Sequence, residues 1–402
     1  MKLVQRTVLA AIGAFAACAL ASPPSLAAPT GKPVRIGSTL ALTGPLAATS
    51  QVHKLVGEIY VEQLNAKNGL LGRPVEWVLK DDQSKPDVAR TLYEQLLTVD
   101  KVDLFMGPYA TGAILSAMSV AERYNKILIH HTFGIPAMAK YPMQFPAWAL
   151  GPNPEKTFPN TLFDALAKSA KPPKTVAIVT SKFPSVHFLS AGVREVAKAR
   201  GLQEVLWLEW EFGNREFGPI AARVKDVKPD FLWIGAIGLE GVMLLDAAKK
   251  IDYVPPIHFH LYPAPGPTAQ SPDAKNALAA TIFEQHPPFT NNPVAAAFVK
   301  TFNERAAKAG LPDNQVEVQA AASYTAWQIL DQAVTATKSL DDKVLADWLK
   351  KNRVDAIIGK VRFDGASNYG DDLMKIKQLQ NGKWLVVWPL EFAAPGAKLL
   401  TP

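Results

Sequence analysis

The sequence predicts an α/β protein built from two doubly wound units, each a parallel sheet covered by helices on both faces. Short apolar runs alternate with longer segments whose apolar residues recur at helical spacing, which is the pattern of a parallel α/β sheet. The alternation pauses after Trp148 and starts afresh near Pro154. The chain has 402 residues, more than a single hydrophobic core usually supports. Two units are therefore expected.

The first unit is predicted to run β-α-β-α-β-α-β. Its strands are expected at Val34 to Leu42, Val75 to Leu79, Leu104 to Gly107 and Ile127 to Ile129. Its first two helices are expected at Thr49 to Lys67 and from Pro86 to about Val99. Proline suits the first position of a helix, because its missing N–H would have no partner there.

The third helix of this unit is the most informative segment. Its apolar residues fall on one face, and Thr111 with Gly112 stands where an N-cap is expected. The flanking strands end at Tyr109 to Thr111 and at Thr132 to Gly134, on the rim where open α/β sheets bind ligands. A hydroxyl and free amides at a helix start suit a carboxylate or another anion. The alternative is a capping threonine in an ordinary α/β unit.

The second unit repeats the alternation. Its strands are expected at Thr175 to Thr180, Val205 to Trp210, Phe231 to Gly235 and Ile257 to Leu261. Its helices are expected at Pro154 to Ser169, Val186 to Arg200, Gly218 to Val227 and Leu239 to Lys250. Two long helices, Pro293 to Lys308 and Val316 to Thr337, follow. The tail from Val361 to Trp388 predicts short antiparallel strands around Asn381-Gly382, a pair typical of a tight hairpin turn.

The N-terminus predicts export. Lys2 and Arg6 precede an apolar run from Val8 to Leu20, and small residues up to Ala27 provide a cleavage site. This is the pattern of a signal peptide covering residues 1–27 and a periplasmic protein. The only cysteine, Cys18, lies inside that segment. Its use as a lipid anchor is an alternative, less favoured because Phe15 is a poor match to the expected aliphatic residue.

Composition excludes several classes of function. Without residues 1–27 the chain keeps 41 basic and 36 acidic residues, a net charge of +5, and no thiol. The excess is spread along the chain without a basic block, which argues against nucleic acid as a partner. The absence of a thiol in the mature chain excludes disulfides and cysteine nucleophiles.

Motifs for catalysis or metal binding are weak. Gly235, Gly238 and Gly241 have the spacing GxxGxxG, whereas a dinucleotide fingerprint is GxGxxG. His258 and His260 alternate on one strand without a third metal ligand at a telling spacing. The sequence contains no GxSxG, HExxH or Walker motif. We therefore expect neither an enzyme nor a cofactor.

Four segments carry a resemblance to a known family. They are VRIGSTLALTGPLA, NAKNGLLGRPVEWVLKDDQSKPDVA, MGPYATG and GKVRFD. Together they resemble the type I periplasmic substrate-binding proteins of the branched-chain amino acid and amide ABC transporter family. The resemblance implies two lobes joined by a three-segment hinge, with the N-terminal lobe at 34–150 plus 264–354 and the C-terminal lobe at 151–263 plus 355–392. It also implies a monomer that closes over a small ligand and delivers it to an ABC permease in the inner membrane.

The same resemblance indicates where the ligand should lie. The rim turns of both units supply the residues expected at the site: Tyr109, Ala110, Thr111, His131, Thr132, Phe133, Gly134, Phe183, Ile237, Glu240 and Tyr262. Of the histidine pair that ends the fourth strand, His131 is placed at the ligand and His130 is expected to be hydrogen-bonded in place.

The chain departs from the amino-acid-binding members at two positions. Those members hold the ligand's ammonium with a hydroxyl and a carboxylate, and the corresponding positions here fall on Gly134 and Tyr262. A buried unpaired ammonium is costly. We therefore expect a carboxylate without an α-amino group, favoured as aromatic, with Glu240 as the residue that could restore an ammonium site.

Two other functions stay open at this point. A ligand sensor would use the same closure to signal to a partner protein, and an exported hydrolase or oxidoreductase would need a catalytic set. A branched-chain amino acid or amide is the alternative ligand. Neighbouring permease and ATPase genes would distinguish transport from sensing.

Overall fold

The computed structural model describes residues 28–264 and 266–401. The predicted signal peptide, residues 1–27 with Cys18, lies outside the described residues. The described chain forms two α/β lobes, each built around its own sheet, so the predicted fold class is confirmed. Within the described residues, no helix is both long and apolar enough to cross a membrane.

The first lobe contains a five-stranded parallel sheet of order β2-β1-β3-β4-β5. Its strands are β1 Val34–Leu40, β2 Val75–Asp81, β3 Leu104–Met106, β4 Leu128–His130 and β5 Gln144–Pro146. Its connecting helices are α1 Ala47–Ala66, α2 Pro86–Thr98 and α3 Thr111–Arg123. The central strands β3 and β4 are buried on both faces, which explains why they are continuous apolar runs in the sequence.

The second lobe contains a seven-stranded sheet of order β14-β13-β10-β9-β8-β6-β7. After β5 the chain forms the following elements: α4 Pro154–Ala167, β6 Thr175–Ser181, α5 Pro184–Ala199, β7 Gln203–Trp210, α6 Gly218–Val227, β8 Phe231–Gly238, α7 Glu240–Lys249, β9 His258–Pro263, α8 Pro267–Gln270 and β10 Leu278–Thr281. The later elements of the chain are α9 Pro293–Lys308, α10 Val318–Thr337, α11 Asp342–Lys351, β11 Val354–Ala356, β12 Gly359–Val361, β13 Lys375–Gln380 and β14 Lys383–Trp388. Strands β6 to β10 run parallel, and β13 and β14 close the sheet in antiparallel pairing.

The predicted hairpin in the tail is confirmed. Asn381 and Gly382 join β13 to β14, both with positive φ, 51° and 74°. A two-residue turn with both φ values positive matches the right-handed twist of the strands that it connects.

The lobe boundaries expected from the sequence need two corrections. Residues 278–281, expected in the first lobe, form β10, which pairs with β9 and β13 of the second sheet. Residues 355–371, expected in the second lobe, attach to the first. For example, the amide of Ile357 donates to Gln328 on α10 at 2.9 Å. The second crossover therefore lies after β10, and the third lies near residue 372.

The first and third crossovers run side by side. Leu150 and Asp372 form an isolated antiparallel bridge. The amide of Gly151 donates to the Asp371 carbonyl at 2.9 Å, and the amide of Leu373 donates to the Ala149 carbonyl at 2.9 Å. Two of the three connections between the lobes thus form one short hydrogen-bonded ribbon.

The segment before the third crossover is fastened to the first lobe. The side-chain amide of Asn368 donates to the Gln144 carbonyl at 2.7 Å. The Tyr369 hydroxyl donates to the Phe133 carbonyl at 2.7 Å and is buried. The rim turn after β4 is therefore held by a residue from near the end of the chain.

A buried group of charged side chains joins the second sheet to the start of α10. The Nζ atom of Lys377 on β13 lies 2.7 Å from a carboxylate oxygen of Glu284 and 3.9 Å from one of Glu317. Glu317 precedes the first residue of α10, and all three side chains are at most 5% exposed. We call this group the hinge ion cluster.

Candidate functional site

The site is built where the strands of both sheets end and face each other between the lobes. A small cavity lies there. Its walls come from the turns after β3, β4, β5 and β6, from the ends of β8 and β9, and from the start of α10: Tyr109, Ala110, Thr111, Thr132, Trp148, Phe183, Ser185, Ile237, Tyr262 and Gln319.

Two helices begin at this cavity, one from each lobe. Helix α3 starts at Thr111 and helix α5 starts at Pro184, directly before Ser185. Neither helix has a side-chain cap on its first-turn amides. At α5 only the Ser185 amide is open, because Pro184 has no N–H and the Val186 amide donates to the Phe183 carbonyl at 3.0 Å. Open amides and the helix dipole both favour a negative group at such a position.

The predicted N-cap role of Thr111 is wrong. Ala110 occupies the N-cap position with φ 74° and ψ 150°, and Thr111 is already the first helical residue. A threonine with helical backbone does not use its hydroxyl to cap its own helix. Thr111 instead lines the cavity and is 1% exposed.

Further hydrogen-bonding groups on the cavity wall have no partner in the described structure. The hydroxyl of Thr132, the indole N–H of Trp148 and the side-chain carbonyl of Gln319 are buried and unpaired. Unpaired buried polar atoms are rare in native proteins, because each loses its bonds to water. Their convergence on one cavity points to a ligand that supplies the missing partners.

Aromatic rings form much of the remaining wall. Trp148 packs edge-on against Tyr262, with ring centroids 5.2 Å apart. Phe183 packs against Phe212 in the same way at 5.0 Å. A planar apolar ligand body therefore has faces and edges to pack against.

The ionisable groups nearest to the cavity are neutral or turned away from it. Burial lowers the pKa of His53 to about 3, while its contact with Gln319 opposes that shift. Burial, with the neighbouring His53 and His130, lowers the pKa of His131 well below its usual value. The ten residues that line the cavity include no charged side chain. The wall is thus uncharged at neutral pH.

Four of the predicted site residues do not line the cavity. Phe133 packs in the core of the first lobe. The histidine His131 lies behind the wall and stacks on His53 at 4.3 Å. A Cβ added to Gly134 would lie 3.3 Å from the Tyr262 hydroxyl, so this glycine permits close approach of the second lobe.

Glu240 is the fourth of these residues and is turned into the second lobe. Its carboxylate accepts from the Gly213 amide at 2.9 Å and is 5% exposed. Burial raises its pKa, and the bonds from Gly213 and from neighbouring donors oppose that shift. One oxygen of the carboxyl group is thus paired inside the second lobe, and Glu240 is not among the residues that line the cavity.

Seven predicted site residues are brought together around the cavity: Tyr109, Ala110, Thr111, Thr132, Phe183, Ile237 and Tyr262. Three further residues that line the cavity, Trp148, Ser185 and Gln319, were not among those expected at the ligand. Pro184, the first residue of α5, is a sequence signal that could have indicated Ser185. No local signal marks Gln319, which reaches the site from a distant segment.

Three other motifs are structural. The Nδ1 atom of His258 and the Nε2 atom of His260 lie 2.9 Å apart inside the second lobe. Burial lowers the pKa of both histidines. No group of metal-ligating side chains is found among residues 28–264 and 266–401. His130 contacts Gln144 at 2.6 Å and is held in place as predicted. Gly238 has φ 65° and ends β8 before α7.

Comparison with known proteins gives consistent matches over most of the chain. A family model described as "periplasmic binding protein" matches residues 33–383. The Leu/Ile/Val-binding protein BraC3 of Rhizobium johnstonii is 25% identical over 52% of this chain and 56% of that protein. The leucine-, isoleucine-, valine-, threonine- and alanine-binding protein of Pseudomonas aeruginosa is 22% identical over 87% of this chain and 90% of that protein.

A solved structure also matches over most of the chain. It is an ABC transporter solute-binding protein from R. palustris in complex with benzoate, with a TM-score of 0.74 and 20% identity. The match covers 92% of this chain and 99% of that chain. At this level of identity the match establishes a shared fold.

Proposed function

The chain belongs to the periplasmic binding protein family, with the type I fold of its branched-chain amino acid members, and from this premise we propose a specific ligand class. The protein is the solute-binding component of an ABC importer and acts in the periplasm. Its two lobes close over a small aromatic carboxylate that lacks an α-amino group. Hinge closure of two lobes around a ligand is a motion of periplasmic binding proteins. The closed form then delivers the ligand to an inner-membrane permease.

The observation that carries this proposal is the uncharged, donor-rich wall of the cavity. The uncapped starts of α3 and α5, with the Thr132 hydroxyl and the Trp148 indole N–H, are placed to donate to a ligand carboxylate. A carboxylate only accepts hydrogen bonds. Such donors therefore match it without a cationic side chain.

The same wall disfavours an α-amino acid. An ammonium needs an acceptor of negative charge when it is removed from water. Glu240, the nearest carboxylate considered in the sequence analysis, bonds to Gly213 instead. The curated relatives are named for branched-chain amino acids and the R. palustris structure contains benzoate, so the two ligand classes are the alternatives to be tested.

A thermal-shift screen separates them. Benzoate and phenylpropenoate-type acids are expected to raise the melting temperature, because a ligand at about 100 times its dissociation constant adds about 2.7 kcal/mol of stability. Leucine, isoleucine and valine are expected to leave it unchanged. Glu240→Gln should bind the aromatic acids as the wild type does. Stabilisation by a branched-chain amino acid that is lost in Glu240→Gln would restore the amino-acid assignment.

Replacing Thr111 with valine should weaken binding of benzoate by about 1–3 kcal/mol, since it removes a hydroxyl that donates to a charged oxygen at nearly constant size. Isothermal titration calorimetry measures the loss. Thr91→Val, at an exposed position on α2, is the matched control and should bind as the wild type does. Equal affinities for Thr111→Val and the wild type would move the carboxylate away from α3.

A further inference from the structure

The part of the cavity wall formed by Gln319 differs chemically from the donor groups at the helix starts. Gln319 is the second residue of α10 and is 3% exposed. Its side-chain carbonyl is buried without a partner. A carboxylate cannot satisfy this oxygen, because both groups only accept hydrogen bonds. The wall thus contains an acceptor that the proposed carboxylate leaves unpaired.

His53 lies directly behind Gln319 and extends this polar surface. It is 1% exposed on α1, faces Gln319, and neither ring nitrogen has a hydrogen bond of good geometry. Its ring is positioned by His131 stacked at 4.3 Å and by Tyr109 at 4.9 Å. Both histidines are neutral at physiological pH because they are buried.

The polarity of the His53–Gln319 pair does not depend on which ring nitrogen carries the proton. A neutral imidazole has one donor and one acceptor, and a carboxamide has both kinds of group. If the imidazole N–H donates to the amide carbonyl, an imidazole acceptor and the amide N–H₂ remain. If the amide donates to the imidazole, an imidazole N–H and the amide carbonyl remain. Either arrangement leaves at least one donor and one acceptor on the pair.

A neutral hydroxyl is the ligand group that matches such a pair, since it donates one hydrogen bond and accepts others. A carboxylate would leave the acceptor unpaired, and an ammonium would leave the donor unpaired. Leaving a buried polar group unpaired costs more than the bond itself contributes. The His53–Gln319 pair thus discriminates between ligands that carry a hydroxyl at this position and ligands that do not.

Building on the proposed function, we propose that the natural ligand is a hydroxylated aromatic acid, whose ring hydroxyl is recognised by Gln319 with His53 behind it. The carboxylate takes the donors at the starts of α3 and α5, and the ring packs among Tyr109, Trp148 and Tyr262. Unsubstituted benzoate would then satisfy the helix starts and leave Gln319 unpaired.

Calorimetry with benzoate, 3-hydroxybenzoate, 4-hydroxybenzoate and 4-methoxybenzoate tests this. The wild type should bind one hydroxybenzoate about tenfold or more tightly than benzoate, the effect of one buried hydrogen bond. The methoxy compound, which cannot donate, should lose that advantage. Gln319→Leu should abolish the preference. His53→Phe keeps the stacked ring and removes both nitrogens, and it should also reduce the preference.

Gln332→Leu is the matched control, because it makes the same change on the same helix. The Gln332 side chain bonds to the backbone of Asp355 instead of lining the cavity. This variant should keep the preference for a hydroxybenzoate. Equal binding of benzoate and both hydroxybenzoates by the wild type, or a preference retained in Gln319→Leu, would overturn the inference and leave the proposed function standing. Failure of all four acids to bind would overturn the proposed function as well.

Discussion

Replacing Lys377 with methionine is expected to remove about 3–5 kcal/mol from the free energy of unfolding at pH 7, the usual cost of breaking a buried ion pair from one side. The change deletes the only cation of the hinge ion cluster and leaves Glu284 and Glu317 buried next to each other. Urea denaturation measures the loss as a lower midpoint. Lys360→Met is the control, because the Lys360–Asp355 pair is 4.0 Å apart and mostly exposed. That change should cost no more than about 0.5 kcal/mol.

The pH dependence of this loss follows from the two carboxyl groups. Burial raises the pKa of Glu317 from its ordinary 4.5 to about 8, with Lys377 opposing and Glu284 adding to the shift. Burial also raises the pKa of Glu284, and Lys377 again opposes the shift. A carboxyl with a raised pKa contributes stability at low pH that is lost as the pH rises through the folded-state value.

The deficit of Lys377→Met should therefore be smaller at pH 5 than at pH 8, because both carboxyls can be protonated at the lower pH. Glu317→Gln should gain stability relative to the wild type between pH 5 and pH 8, at up to about 1.4 kcal/mol for each pH unit. A Lys377→Met deficit that stays constant over this range, or one that equals the Lys360→Met deficit, would contradict this description of the cluster.

Replacing Trp233 with alanine is expected to cost about 3–5 kcal/mol of stability, as large-to-small changes in a packed core do. Trp233 is fully buried on β8 and stacks on Phe259 with 4.6 Å between ring centroids and 6° between planes. Its indole N–H donates to the Ser190 hydroxyl at 2.8 Å. The loss combines the hydrophobic free energy of burying the ring with the cost of the cavity left between α5 and the sheet.

Trp207→Ala is the matched control for this prediction. Trp207 is only half-buried on β7, and its indole N–H donates to Glu209 at 3.0 Å. Trp207→Ala should lower the free energy of unfolding by about 1 kcal/mol, the average for a point substitution. Trp233→Phe should recover part of the loss by keeping the stack on Phe259. The two unfolding curves are compared at the same pH, and equal losses at Trp233 and Trp207 would show that the stack contributes nothing.

The order of helices and strands could be predicted because each element has its own local pattern. The strand Leu104–Met106 is a continuous apolar run, and the tail hairpin follows from Asn381-Gly382. Strand β10 was missed because its sequence LAAT is poor in the β-branched and aromatic residues that favour strands. Its position in the second sheet depends on pairing with β13, about a hundred residues away.

The rim turns of the site were predictable for a related reason. Thr132 lies just after β4 and Tyr262 lies at the end of β9, so the sheet rule places each of them at the rim of its own sheet. Gln319 is not part of any such turn, since it reaches the cavity at the start of α10. Glu240 was expected near the ligand as the residue that could restore an ammonium site, and its bond to Gly213 could not be read from either residue alone.

The hydrogen bond between Tyr369 and the Phe133 carbonyl has a consequence for when the site becomes complete during synthesis. The two residues are 236 positions apart in the chain. At about 5–20 residues per second, a ribosome needs roughly 10–50 s to make the intervening segment. During that interval the turn that carries Thr132 lacks the group that fastens it, and Gln319 is also added late. All five strands of the first sheet are thus synthesised before the residues that complete the ligand site.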